Sequence, residues 1–254
     1  MQQVRVAVAG ATGKAGREMV RAIVRDQGFA LAGAIAVQGV GSDVGELIGL
    51  ESGQTDVKVE GSLEDALKAG MRADVLLDFT TPAAARKTIP AAVAAGIAPV
   101  VGTTGLDPAD FNRFAELCRE AGLGGAFIAN FSVGVMLMMR FAEEARRFMP
   151  HVEIIEMHHH TKLDAPSGTA VRTRTRLEQA MGDLAAPPVA VHSVRLPGLV
   201  AHQEVIFGGP GQILTIRHDA QTREAYVPGV LLTCKWVLKH REIAFDLEDV
   251  AYSR

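Results

Sequence analysis

At 254 residues, with 48% hydrophobic and 22% charged side chains, the chain has room for one large or two small α/β domains and a sizeable core. That excludes a peptide needing disulfide staples and a disordered chain. Its 26 basic and 29 acidic residues leave a net charge of -3, so no global positive field holds nucleic acid or an anionic membrane. An anionic ligand has to be captured locally.

Cys118 and Cys234 stand far apart without metal-ligand spacing, no apolar run approaches the roughly 20 residues of a spanning helix, and no leader pattern precedes the first strand. A soluble, unprocessed cytoplasmic chain with reduced thiols is expected. From residue 4 to about 129, short β-rich runs alternate with longer helical ones, the pattern of a parallel sheet covered by helices. Strands are expected at 4–9, 29–37, 74–79, 97–101 and 126–129. A glycine-rich turn spans 10–16 and a helix 17–25, and helices fit between most of the later strands. The best-marked helix is 108–120, where Asp107 caps, Pro108 suits the first position and Gly122 ends it.

After Phe131 the texture changes. A Met-rich helix is expected at 135–149 and a strand at 151–157, followed by a polar loop at 158–168 and a helix at 170–181. Three β-like runs at 189–195, 200–207 and 212–218 suggest an antiparallel or mixed sheet. A helix at 230–239 and a short run at 243–247 could return to the first domain. The organisation is therefore a dinucleotide-type domain, 1–130 completed by 224–254, and a second α+β domain, 131–223.

Gly10, Gly13 and Gly16 follow the first strand and open the first helix, where a doubly wound Rossmann-like fold brings backbone close to pyrophosphate. The spacing is G-x-x-G-x-x-G. A tight turn that binds nothing is the alternative, but its place at the first strand of an alternating β/α pattern favours nucleotide binding. The turn residues Gly10, Ala11, Thr12, Gly13, Lys14 and Ala15 are the candidates. An NAD site usually has a carboxylate about 20 residues on, to bond the ribose hydroxyls. Here the second strand ends in Ala36, Val37 and Gln38, and Asp43 is the first acid. Lys14 and Arg17 offer charge for phosphate, so NADPH is permitted without being demanded. Gly102, Thr103 and Thr104 follow the fourth strand, and Ile128, Ala129, Asn130 and Phe131 end the fifth, where loops converge on a ligand crevice. Thr hydroxyls there could bond a carboxamide, and Phe131 could face the nicotinamide.

The segment 156–170 concentrates groups that no apolar core needs: three successive histidines, then Lys162, Asp164, Pro166 and Ser167-Gly168-Thr169. In extended chain His158 and His160 would face one way and His159 the other. A metal is not expected, since no His-Glu-x-x-His helix or nearby cysteine exists and Lys162 repels a cation. Ser167, Gly168 and Thr169 precede a helix, so hydroxyls and amides there suit a carboxylate, although an ordinary helix cap would use the same atoms. With Lys162 and a histidine alongside, the loop reads as a carboxylate clamp beside an acid.

These segments resemble the dihydrodipicolinate reductases of bacterial and plant lysine biosynthesis. The resemblance rests on the run from Val8 to Arg17, on Asp78-Phe79-Thr80, on Gly102-Thr103-Thr104-Gly105, on the run from Ala129 to Val135, and above all on the loop from Glu156 to Ala170. It implies a two-domain homotetramer whose second domain has an open mixed sheet. It implies NADPH- or NADH-dependent reduction of the dehydrated form of 4-hydroxy-tetrahydrodipicolinate, a small dicarboxylate cyclic imine, to tetrahydrodipicolinate. By matching positions, His158 is the catalytic acid/base residue and Lys162 the proton donor. His159, Gly168 and Thr169 hold the dicarboxylate, joined by Ser167 from the helix-start reading, and residues 102–104 and 128–131 line the nicotinamide. One departure is that many members carry an acid, often followed by Arg, where this chain has Ala36 and Val37. A reductase of another cyclic imine, and a coenzyme-binding redox sensor without catalysis, are the other readings; the sensor has no use for the clamp loop.

Overall fold

The computed structural model describes residues 3–51, 55–182 and 186–253. Met1, Gln2 and Arg254, at the ends of the expected first domain, lie outside the described residues. Two compact units form, one from Met1–Phe131 with Tyr226–Arg254, the other from Ser132–Ala225.

In chain order the first unit begins with β1 (Val4–Ala9), α1 (Gly16–Arg25), β2 (Phe29–Ile35), α2 (Val44–Ile48), β3 (Val59–Glu60) and α3 (Leu63–Lys68). It continues with β4 (Val75–Asp78), α4 (Pro82–Ala94), β5 (Ala98–Val101), α5 (Pro108–Glu120) and β6 (Gly125–Phe127). The second unit holds α6 (Val133–Arg146), β7 (His151–His158), α7 (Gly168–Gln179), β8 (Ala190–Arg195), β9 (Ala201–Gly209) and β10 (Gln212–Ala220). The chain then returns to the first unit with α8 (Val227–Trp236), β11 (Ile243–Ala244) and α9 (Leu247–Ala251).

The seven strands of the first unit lie in the order β11-β6-β5-β4-β1-β2-β3, all paired in parallel. Helices cover both faces of such a sheet, so its central strands are apolar on both sides. Val6 to Ala9, Val75 to Leu77 and Val100 are inaccessible to solvent. Full burial of each Leu or Val side chain stabilises by roughly 1.5–3 kcal/mol. Leu63, Ala66, Leu76, Ala92 and Ile97 pack into one cluster, and Ala85, Ile89, Phe114, Cys118 and Phe127 into another. The chain leaves β1 toward β2 and β3 on one side, and β4 opens the other. Between β1 and β4 the strand order reverses, the place where loops at the carboxyl ends of such a sheet leave a crevice.

Asp107 and Asp110 cap α5 reciprocally, with Pro108 in the first turn. Several boundaries differ from expectation. The Met-rich helix begins at Val133 because the Ser132 hydroxyl accepts the amide of Val135. The late helix begins at Val227, with Pro228 in its first turn. The run expected over 243–247 splits: Ile243 and Ala244 add a strand beside β6, while Asp246 caps a helix that starts at Leu247. Both cysteines are free and buried, and burial pushes the Cys118 thiol up to about 11 and the Cys234 thiol higher still, so neither is a ready nucleophile.

The four strands of the second unit lie in the order β10-β9-β7-β8; β7 and β8 run parallel and the other pairs antiparallel. Helices α6 and α7 cover one face, where Met138, Met139, Ala142, Leu177, Val152, Ile154, Val205 and Phe207 form the core. Along β7 the residues 152, 154, 156 and 158 share that inner face by the two-residue period of a strand. Val152 and Ile154 fill it with hydrocarbon; Glu156 and His158 then carry it to the strand end.

Candidate active site

In the first unit the loops after β1, β4, β5 and β6 stand side by side, because those strands are neighbours. Gly10 adopts a left-handed φ of 79°, and a Cβ on it would collide with the Phe79 carbonyl; one on Gly16 would collide with the Gly10 carbonyl. The turn is closed by hydrogen bonds from the Gly10 and Ala11 amides to the Ile35 carbonyl and from the Gly13 amide to the Gly10 carbonyl. Ala15 occupies the N-cap of α1 and provides no side-chain cap, while the Arg17 and Glu18 amides donate to the Gly13 and Ala15 carbonyls. Close-approach glycines at an uncapped helix start fit a pyrophosphate. Lys14 is exposed, and Arg17 donates to the Thr12 carbonyl at 3.0 Å, bracing the turn from within.

Behind this row lies Asp78, at the end of β4 and wholly buried. Its Oδ1 accepts the hydroxyls of Thr103 at 2.5 Å and Thr80 at 2.7 Å, while Oδ2 has no partner. Burial pushes this carboxyl above the usual range, and the hydroxyl bonds oppose the shift. The amide of Thr80 also donates to Thr103 Oγ1 at 2.8 Å, so the loops after β4 and β5 are tied together. Thr103 is therefore committed to Asp78, which corrects the expectation that its hydroxyl bonds a carboxamide; Thr104 is the exposed one. Phe131 is also corrected: its ring is buried and packed at 6.0 Å against Phe79, so it offers no open ring face to a nicotinamide. Ile128 is buried too, and Ala129 is exposed. At the end of β2, Val37 is 92% exposed, while the Asp43 carboxylate caps α2 and takes the Thr55 hydroxyl. Asp43 is thus spent within the fold.

In the second unit the clamp loop is anchored on one buried carboxylate. Glu156, wholly inaccessible, accepts two bonds from Arg195 at 2.7 and 2.9 Å, the amide of Ser167 at 3.2 Å, and Nδ1 of His158 at 2.5 Å. Burial acts to raise its pKa, but hydrogen bonds from Arg195, Ser193 and His158 outweigh it and bring the carboxyl down to about 2. Burial lowers the pKa of His158; Glu156 opposes this, and the charges of Lys162 and Arg195 add to the lowering. Lys162 Nζ donates to Asp164 Oδ1 at 2.7 Å, and Arg195 reaches the Asp164 carbonyl at 2.7 Å.

The strand ends at His158, and the Lys162 amide turns back to the His159 carbonyl, so the alternation expected for the three histidines stops after the first. His159 and His160 are exposed, with His159 Nδ1 at 2.7 Å from the Thr161 hydroxyl. Ser167 is buried and its hydroxyl caps α7 by accepting the Ala170 amide, the ordinary use of such a residue. Gly168 is exposed at the start of α7, and a Cβ there would meet nothing. Among the described residues, no three His, Cys, Asp or Glu side chains stand close enough to hold a metal ion. Sequence reasoning missed Glu156 and Arg195 as site residues. The signal for Glu156 was its position two residues before His158 on the same strand face.

Models of dihydrodipicolinate reductase match both halves, the N-terminal one over residues 4–131 and the C-terminal one over 134–251. The chain belongs to the dihydrodipicolinate reductase family. The 4-hydroxy-tetrahydrodipicolinate reductase of Symbiobacterium thermophilum is 65% identical over 254 residues, covering 100% of both chains. That of Desulfitobacterium hafniense (strain DSM 10664 / DCB-2) is 43% identical over 266 residues, covering 98% of this chain and 99% of its own. Among solved structures, the dipicolinate-bound dihydrodipicolinate reductase from Paenisporosarcina sp. TG-14 superposes with a TM-score of 0.83 at 33% identity, covering 98% of this chain and 99% of its own. Membership of this reductase family accounts for a nucleotide-type unit and a clamp loop in one chain.

Proposed function

We propose that this chain reduces the dehydrated form of 4-hydroxy-tetrahydrodipicolinate to tetrahydrodipicolinate, with NADPH or NADH, in lysine and diaminopimelate biosynthesis. The observation that carries the reading is the loop from His158 to Thr169, which joins an imidazole, an ammonium and a helix start on one buried anchor. In this reading the first unit binds dinucleotide. Residues 10–15 hold pyrophosphate, and residues 102–104 and 128–131 line the nicotinamide, mainly through backbone. Bound reduced coenzyme supplies hydride. The second unit binds the dicarboxylate at His159, Gly168 and Thr169, with Ser167 shaping the helix start. Hydride addition to a conjugated imine leaves an electron pair that takes a proton. The Lys162 ammonium donates it and stabilises the charge, while His158 exchanges protons beside it.

Ile213 and Leu214 on β10 are 76% and 40% exposed in the single chain, which supports a homotetramer built on this sheet. No helix among the described residues is long and apolar enough to cross a membrane, in keeping with a cytoplasmic enzyme. The test is initial rates with each coenzyme on enzymatically generated substrate, with pyridine-2,6-dicarboxylate as a planar competitor. Both coenzymes should be oxidised, since no carboxylate at Ala36 or Val37 repels a 2′-phosphate, and the competitor should inhibit. Coenzyme that binds but is never oxidised would mark a sensor. Turnover without inhibition would count against a dicarboxylate pocket.

A further inference from the structure

We propose that Glu156 and Arg195 are a buried positioning pair that keeps the proton of neutral His158 on Nδ1, leaving Nε2 as its working nitrogen, and holds Lys162 in register through Asp164. The inference rests on the role assigned to His158 above. A position that continues the face of Val152 and Ile154 would ordinarily be apolar. Burying a carboxylate there costs several kcal/mol unless every lone pair is answered. Donors on every side answer it: two from Arg195, one from the Ser167 amide, one from His158 and one from the Ser193 side chain. An ionised carboxylate only accepts hydrogen bonds, so the nitrogen facing it at 2.5 Å has to carry hydrogen. That fixes both the tautomer and the ring plane of His158.

Arg195 lies directly across the ladder from His158 at the end of β8. Besides Glu156 it holds the carbonyls of Val194 and Asp164, at 2.8 and 2.7 Å. Asp164 in turn takes the Lys162 ammonium on its carboxylate. One guanidinium thus connects the support of the imidazole to the backbone that carries the partner of the ammonium. A buried ion pair adds little over an apolar pair of the same volume, so folding alone does not call for one beneath His158. The charged groups facing the imidazole are Glu156 on its own strand, Arg195 on β8 and Lys162 on the following loop. Only Glu156 favours the protonated ring.

Two measurements test the pair. In the wild-type protein, imidazole nitrogen NMR should show His158, identified by the resonance lost in His158→Gln, as the Nδ1–H tautomer near neutral pH. An Nε2–H tautomer would overturn the proposal with no variant needed. In Glu156→Gln, kcat should fall about 10²-fold, with KM for the substrate within about threefold. The limb of the kcat–pH profile that belongs to His158 should move to lower pH. Wild-type kcat, or a fall in kcat with the limb unmoved, would reduce Glu156 to a structural residue. If His158→Gln itself keeps turnover, the catalytic role of His158 fails, while the tautomer still reports separately on the pair.

Discussion

Asp78 and Glu156 are both carboxylates wholly closed to solvent, both at or near the end of a strand, and their pKa values move in opposite directions. Asp78 has two hydroxyls and an amide on one oxygen and nothing on the other. Those neutral donors do not offset desolvation, and its pKa lies above the usual carboxylate range. Glu156 has a guanidinium across both oxygens, and its proton is lost. Burial sets the cost of a charge, and the partner decides whether the charge exists. The first unit therefore shapes its crevice with backbone and a carboxyl that favours the neutral form, and the second arms its loop with fixed charges.

The largest expected effect breaks the charged side of that contrast. Lys162→Ala should keep the fold, since its ammonium is held by the exposed Asp164 at the surface of the loop, and should lower kcat/KM by about 10³-fold if it donates the proton. Near-wild-type steady-state rates would remove it as donor. On the backbone side, Gly16→Ala drives a methyl into the Gly10 carbonyl and should cost about 3 kcal/mol in urea melts, with loss of coenzyme binding. Gly168→Ala, facing open space at the start of α7, should change stability by less than about 0.5 kcal/mol. Equal costs at the two glycines would contradict the view that only the first unit uses close backbone approach.

These effects trace the limits of what sequence could reveal. The glycine turn, the parallel alternation and the clamp loop are local patterns, so they were legible residue by residue. Short elements such as β3 and α2 carry too few residues to show a period, and their place follows from pairing with β2 and from the Asp43 cap. The Glu156–Arg195 pair joins residues 39 apart and depends on β8 running parallel to β7, a register that no local window contains. Thr103 was legible as a loop hydroxyl but not as the ligand of Asp78, because that bond spans two strands.

Acid should sharpen the contrast. A folded carboxyl at about 2, against about 4.3 when unfolded, binds fewer protons in the folded state. Its stabilisation is complete above about pH 4.5 and fades as pH falls toward 2, amounting to about 3 kcal/mol. The stability gap between the wild type and Glu156→Gln should be widest near neutral pH and close through that window in pH-dependent urea melts. A gap independent of pH would mean that the carboxylate is not ionised in the fold.

Asp78 supplies a smaller pH effect of the opposite sign. A carboxyl whose folded pKa is raised binds its proton more tightly when folded, so stability falls as pH rises from the unfolded value near 3.9 through the folded one. Asp78→Asn keeps an oxygen for the hydroxyls of Thr103 and Thr80 and removes the group that resists ionisation. Near neutral pH the variant should match or exceed wild-type stability by up to about 1 kcal/mol, the advantage vanishing in acid. A loss of more than about 2 kcal/mol at neutral pH would show that Asp78 is valued as an anion, and the two buried carboxylates would then differ in partner but not in charge.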